Sequence, residues 1–373
     1  MRFIDGDGHF IEPLDVFERY TDPAFRERTM CMRQDAEGTK RLLVDGKPMQ
    51  AINVDELLAA VVGYGQKEVG KDLSTFDRYL GYSDAWQDMG KRVTYLDDEG
   101  FDYQVIYPTL GLFWEGQVED PYLADALCRA YNTWAFEICA GRLDRLIPAA
   151  HISLRDPQLA VREMERAAKL GCRTIFIAAA PVNGKSFGHA DFDPVWAAAQ
   201  SLDLSIGLHL VIHGKYTGSE YYEGVDPGFM YVTMNIIQDP RQALTTLVYD
   251  GVFERFPRLR VATIEAMVGW VGEWLERLDY RFQYMGHTSQ MKRPASEYLA
   301  RNIWINGDPE EKMFPLMVQF LGDDRFFTGS DYPHAEGFVQ PIQKIRSVLS
   351  SLPTASVDKI LGDNGRKFYG IRS

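Results

Sequence analysis

Phe3-Ile4-Asp5-Gly6-Asp7-Gly8-His9-Phe10-Ile11-Glu12-Pro13 is the stretch on which the reading of the chain turns. Two apolar residues lead into alternating carboxylate, glycine and imidazole positions, and Pro13 ends the run. Strand side chains alternate with period two, so a strand here points Asp5, Asp7 and His9 to one face. Asp7 and His9 then form an oxygen-and-nitrogen pair at a strand end, a two-point grip for a divalent metal. A calcium loop is excluded. Its sixth position would be Phe10 and its twelfth Val16, where such loops need glycine and glutamate.

Further along, a strand–helix rhythm sets in. Short apolar runs predict strands at Tyr103–Pro108, Leu146–Ile152, Arg173–Ala179, Ser205–Leu210, Arg260–Ile264, Asn302–Ile305 and Arg325–Ser330. Between them, helical patterns occupy Ala85–Glu99, Pro121–Ala140, Pro157–Leu170, Asp193–Leu202, Arg241–Phe256, Val268–Met285 and Pro309–Leu321. Gln340–Leu349 and a helix near Val357–Tyr369 close the chain. Gly100, Gly141, Gly171 and Gly322 stand at helix stops. Asp156, Asp193 and Asp308 each precede a proline at a helix start. Apolar rather than alternating strands suit a parallel sheet covered by helices. With the first strand the count is eight, which predicts an α/β fold, a (β/α)8 TIM barrel. No G-x-G-x-x-G follows an early strand, against an open doubly wound sheet. Residues 14–80 do not fit a barrel unit and read as an insertion after strand one, within one domain spanning 1–373. The insertion holds a hairpin, with Lys40–Val44 and Met49–Val54 flanking Asp45-Gly46-Lys47-Pro48, and a glycine-rich run from Gly63 to Gly70.

Composition narrows the function. A net charge of -13 and the lack of a Lys/Arg run argue against nucleic acid. The cysteines Cys31, Cys128, Cys139 and Cys172 are scattered without a C-x-x-C pair, against a cysteine zinc cluster or a disulfide framework. No basic-then-apolar leader or membrane-length apolar run occurs, so no membrane partner and a cytoplasmic location are expected. A small-molecule substrate is left, and it can be anionic, because a metal and local arginines reverse the sign inside a pocket.

Barrel enzymes work at the C-terminal ends of their strands. Of seven histidines, His9, His209, His213 and His334 lie at or just after such ends. Glu265 closes strand six, and Asp331 follows strand eight. Each alone has an ordinary reading: His209 as a core histidine, Asp331 as a turn cap, Glu265 as a partner of Arg241 or Arg277. Their concurrence at one end of a barrel carries the argument. His151, His189 and His287 read as structural or surface residues. Gly184-Lys185-Ser186 lacks the earlier glycine of a P-loop, and no H-E-x-x-H or G-x-S-x-G occurs.

These residues resemble the amidohydrolase superfamily, in the amidohydrolase 2 branch that holds aminocarboxymuconate-semialdehyde and γ-resorcylate decarboxylases. The resemblance spans nearly the whole chain. It is carried by Asp5–Pro13, Asp98-Glu99-Gly100-Phe101-Asp102, Phe192–His209, Phe256-Pro257-Arg258-Leu259-Arg260-Val261, Gly329-Ser330-Asp331-Tyr332-Pro333-His334 and Ile360-Leu361-Gly362-Asp363-Asn364-Gly365. It implies that Asp7, His9, His209 and Asp331 hold one divalent metal ion, zinc or manganese. Asp7 stands where the family has His or Glu, which makes the site richer in oxygen. Glu265 stands where strand six often has histidine. The resemblance further implies catalysis by Asp331 as acid/base, with Glu265 and His213 assisting and His334 binding an anionic substrate. Glu12 either reaches the site or fixes the turn before Pro13. The expected activity is non-oxidative decarboxylation of a small aromatic or unsaturated carboxylate. Hydrolysis of an amide, ester, lactone or C–C bond is the alternative, and a non-catalytic ligand-binding barrel the third reading. A homodimer is implied as well. Tyr216, Tyr221, Tyr222, Phe229 and Tyr231 suggest a lid or subunit contact, or ordinary surface packing.

Overall fold

β1 (Ile4–His9) opens a ring of parallel strands, and the segment after it forms a small sheet of its own. The computed structural model describes residues 2–13, 15–34, 40–49, 84–212, 223–224, 230, 233–234, 236–334 and 337–372. Within 15–49, β2 (Cys31–Gln34), β3 (Lys40–Val44) and β4 (Lys47–Pro48) pair antiparallel. Asp45 and Gly46 both have positive φ, 54° and 69°, as the tight two-residue hairpin requires. The return arm therefore starts at Lys47, two residues earlier than expected. Residues 50–54 of that arm and the Gly63–Gly70 run lie outside the described residues. β2 has no counterpart in the sequence reading.

The barrel continues with β5 (Tyr103–Tyr107), β6 (Leu146–Pro148), β7 (Ala150–His151), β8 (Thr174–Ala178), β9 (Ser205–His209), β10 (Val261–Ile264), β11 (Ile303–Gly307) and β12 (Phe326–Thr328). β1 pairs with β5 and β5 with β6. The order β7-β8-β9-β10-β11-β12 completes the ring, every pair parallel. β6 and β7 are two halves of the third barrel strand, interrupted at Ala149, whose amide still reaches the Ile106 carbonyl. Each expected strand is present, so the chain is a (β/α)8 barrel.

Helices differ in detail. Asp88 caps its helix by accepting from the Gly90 and Lys91 amides, so the helix runs Met89–Glu99 and a separate turn holds Asp84–Trp86. Gly251, at φ 69°, splits the predicted Arg241–Phe256 helix into Ile236–Tyr249 and Val252–Arg255. Asp193 lies in the first turn of its helix and pairs with Arg255 instead of capping. The helix expected from Pro309 begins at Phe314, and Ala295–Asn302 adds a helix the pattern did not reveal. Among the described residues no helix is long and apolar enough to cross a membrane.

The seam between β12 and β1 positions the site. It consists of a parallel bridge between Gly8 and Tyr332, with His9 N donating to Tyr332 O (2.6 Å) and Asp331 N to Asp7 O (2.7 Å). β1 also carries a register shift against β5 between Asp5 and Gly8. An extra residue resets the alternation of a strand. Asp5 therefore turns to Gln104 and Ser330, while Asp7 and His9 share the inner cluster. This corrects the expectation of three residues on one face. Below, Tyr369 donates to Gly6 O (2.7 Å) and meets the Tyr107 hydroxyl (3.1 Å), so the last helix floors the barrel.

Glycine is needed where β12 passes β1. A Cβ on Gly329 would lie 2.2 Å from Asp7 Cβ and 2.7 Å from its backbone nitrogen. Backbone cannot swing aside as a side-chain end can, so Gly329→Ala is expected to destabilise the fold by about 3 kcal/mol, the upper end for overpacking. Denaturant melts would check it; a loss below about 0.5 kcal/mol, the size of a neutral surface change, would refute the tight seam.

Candidate active site

The ends of β1, β9 and β10 and the turn after β12 converge on one buried cluster. His9 Nδ1 donates to Pro108 O (3.1 Å) and His209 Nδ1 to Leu210 O (2.8 Å). A carbonyl only accepts, so each ring carries its proton on Nδ1 and turns a bare Nε2 inward. The two Nε2 atoms are 3.3 Å apart. Burial first, and the charge of His334 second, push the His9 pKa down to about 3, so this ring is neutral near pH 7.

Carboxylates surround these two nitrogens. Asp7 Oδ1 lies 3.5 Å from His9 Nε2 and 3.7 Å from His209 Nε2. Glu265 Oε2 lies 3.4 Å from His209 Nε2 and 3.8 Å from His9 Nε2. Asp331 Oδ1 lies 3.5 Å from His9 Nε2. Buried Asp7 Oδ1 has no hydrogen-bond partner among the described residues. Two inward lone pairs and several carboxylate oxygens in one buried space call for a cation. Donors about 2.1 Å from a common centre at tetrahedral angles stand about 3.4 Å apart, which matches these spacings. The residues present therefore fit a divalent metal ion. One set of potential ligands is Asp7, His9, His209 and Glu265; an overlapping set is His9, Glu265, Asp331 and His334.

The sequence predicts Glu265 as an assisting acid/base group, and its carboxylate lies in both potential ligand sets. Glu265 and Asp331 both adopt left-handed backbone, φ 50° and 53°. Such a conformation is costly for residues with a Cβ and persists where the surroundings impose it, often at functional sites. Periodicity cannot reveal it.

His334 stacks on His9 with centroids 4.0 Å apart, and its Nδ1 lies 2.7 Å from Asp331 Oδ1. Thr109 Oγ1 donates to Phe10 O (2.6 Å), which uses its one proton. The 2.8 Å contact between Thr109 Oγ1 and His334 Nε2 is then donated by the ring. His334 Nδ1 thus faces Asp331 Oδ1 across the same short contact.

Glu12 is placed apart from the ligand sets. Its carboxylate accepts from the Thr109 and Leu110 amides at 3.1–3.2 Å. Burial lifts its pKa to about 7 against the pull of those amides. Of the two readings open for Glu12, these bonds describe a brace between the β1 and β5 turns. His213 lies outside the described residues, as do Tyr216, Tyr221, Tyr222, Phe229 and Tyr231. Asp5, wholly buried, accepts from Ser330 Oγ (2.5 Å), Ser330 N (2.8 Å) and Gln104 Nε2 (2.7 Å). Burial raises its pKa to about 6, with the Ser330 and Gln104 bonds opposing. Sequence reasoning missed Thr109, Gln104, Ser330 and Arg92. Only Ser330 had a signal, as a member of the Gly329–His334 motif.

Comparisons with known proteins bear on the family and the fold. The chain is 22% identical over 294 residues to 2-amino-3-carboxymuconate-6-semialdehyde decarboxylase of Dictyostelium discoideum, covering 78% of each chain. An amidohydrolase from Mycobacterium avium subsp. paratuberculosis K-10 superposes with TM-score 0.86 at 25% identity, over 99% of each chain. A dihydroxybenzoic acid decarboxylase from Polaromonas sp. JS666, solved with manganese and the inhibitor 2-nitroresorcinol, shares the fold. Its TM-score is 0.67 at 17% identity, over 100% of this chain and 98% of that one. The family model described as Amidohydrolase matches residues 4–371, and the chain belongs to that family.

Proposed function

We propose that this protein is a metal-dependent, non-oxidative decarboxylase of a small aromatic or unsaturated carboxylate. The observation that carries the reading is the buried cluster of two imidazoles and three carboxylates, with His334 Nδ1 2.7 Å from Asp331 Oδ1 at its edge. The decarboxylases among its relatives support the same reaction class.

Asp7, His9, His209 and Asp331 would hold one divalent metal ion, zinc or manganese, with Glu265 beside them. When bound, the ion supplies Lewis-acid polarisation of the substrate's carboxylate and a neighbouring oxygen. The chain's own residues do the rest. Thr109 holds the His334 ring against Asp331. As the carboxylate leaves as carbon dioxide, the electron pair of the broken C–C bond stays on the ring carbon. That carbon takes a proton handed on by the Asp331–His334 pair, and solvent restores it. His213, argued from sequence alone, is assigned to assist catalysis, and His334 to bind the substrate's anionic end. Glu265 is the second acid/base group if it does not ligate.

We infer one unit over 1–373 with the 14–80 segment inserted, acting as a cytoplasmic homodimer. Exposed Tyr280, Tyr284, Leu316 and Phe320 on the helices Val271–Met285 and Phe314–Leu321 support a subunit contact.

Hydrolysis is the second reading, favoured by the likeness to the mycobacterial amidohydrolase. Carbon dioxide release separates the two. Protein reconstituted with manganese or zinc, given a panel of hydroxybenzoates in D2O, is expected to release carbon dioxide and leave one deuterium on the vacated carbon. Turnover of esters, lactones or amides without carbon dioxide would overturn the decarboxylase reading.

A further inference from the structure

Arg92 lies between Lys91 and Val93 on the helix Met89–Glu99. Its side chain is wholly buried. Nη2 donates to the His9 carbonyl (2.5 Å), Nη1 to Gln104 Oε1 (3.2 Å) and Nε to the Ala85 carbonyl (3.1 Å). The guanidinium also lies 4.6 Å from the centre of the Tyr332 ring, which stacks on Tyr95. A buried cation is tolerated only where its donors are met. Here they are met by the backbone of a ligand residue and by a side chain that leads onward.

Gln104 turns its Nε2 to Asp5 Oδ2, and Asp5 takes up the Ser330 amide and hydroxyl and, at 3.3 Å, the Asp7 amide. One buried chain of bonds thus runs from Arg92 through Gln104 and Asp5 to Ser330. It touches the backbone of His9 and Asp7 on one side of the seam and the residue before Asp331 on the other. Regular sheet does not set this spacing. The β12–β1 ladder is reduced to a bridge and two bonds, and the β1 register shift falls at the same place.

We propose that Arg92 is a positioning residue of the metal site: through Gln104 and Asp5 it holds the turns after β1 and β12 at the spacing that lets their side chains share one ion. This rests on the assignment of Asp7, His9 and Asp331 as ligands. Hydrogen-bond partners behind metal ligands typically govern about 10- to 100-fold in metal affinity.

The test is a titration of metal-free protein with manganese, read as a dissociation constant beside a thermal melt. Arg92→Met removes the donors and keeps the stem's apolar volume. Gln104→Leu cuts the link to Asp5, and Arg92→Lys keeps the charge with fewer donors. Arg92→Met and Gln104→Leu are expected to weaken manganese binding about 10- to 100-fold, with Arg92→Lys recovering part of the loss. At saturating manganese, kcat should fall while KM stays near wild type. Met164→Ala, buried on the helix after the third barrel strand, should lower Tm without moving the dissociation constant. If Arg92→Met does not fold, Gln104→Leu and Arg92→Lys decide. Folded variants with wild-type affinity would overturn the positioning role. So would a shift in Met164→Ala as large as in Gln104→Leu, because the loss would then follow stability alone. A wild-type chain that binds no manganese or zinc would overturn the ligand assignment instead.

Discussion

The His9→Ala protein is expected to fold, to lose its metal and to turn over substrate at least about a thousand-fold more slowly. His9 Nε2 is the hub of the cluster, within 3.3–3.8 Å of His209, Asp7, Asp331 and Glu265. Structural zinc sites bind with about 10–16 kcal/mol shared among four ligands, so one ligand is worth about 3 kcal/mol, or roughly 100-fold in affinity. An imidazole stub of methyl size also leaves the remaining carboxylates facing one another, which weakens the site further. The barrel should survive. Deleting a buried ring costs about 3–5 kcal/mol, while the rest of the core on both sides of the barrel is untouched. Metal analysis by mass spectrometry, circular dichroism and activity form the check. Chelation of the wild type should reproduce the loss and added metal should reverse it. Wild-type metal content in His9→Ala would refute the site.

Asp331→Asn should be nearly as damaging, for a different reason. An amide of the same shape can still turn an oxygen to the cluster, but it cannot give up a proton to carbon. Proton transfer by a positioned side chain contributes about 10²- to 10⁴-fold, and kcat is expected to fall by that amount even at saturating metal. Single-turnover kinetics across a metal titration separate the two roles of Asp331. Recovery of wild-type kcat at high metal would make it a ligand alone and would remove it as the source of the proton.

How much of this was legible beforehand follows from the range of the interactions. The barrel was legible because strand and helix periods, glycine stops and capping aspartates are local. For the same reason Asp7, His9, His209 and Asp331 could be placed at strand ends; the structure sets Asp7, His209 and Asp331 each within 3.3–3.5 Å of His9 Nε2. Helix limits moved wherever a single side chain or backbone angle intervened, as Asp88 and Gly251 do.

What the chain pattern alone determined is thus which residues arrive at the open end of the barrel. Only the closed tertiary structure decided what each does there. Glu265 Oε2 comes within 3.4–3.8 Å of both inward imidazole nitrogens, on a left-handed backbone that periodicity does not reveal. Asp5 leaves the face it shares by periodicity because an extra residue in β1 resets the alternation, and it binds Ser330, 325 positions away. Glu12 is taken up by the amides after β5, and Arg92 is wholly buried. These contacts join segments that meet only when the ring closes, and a periodic pattern carries no information about such meetings.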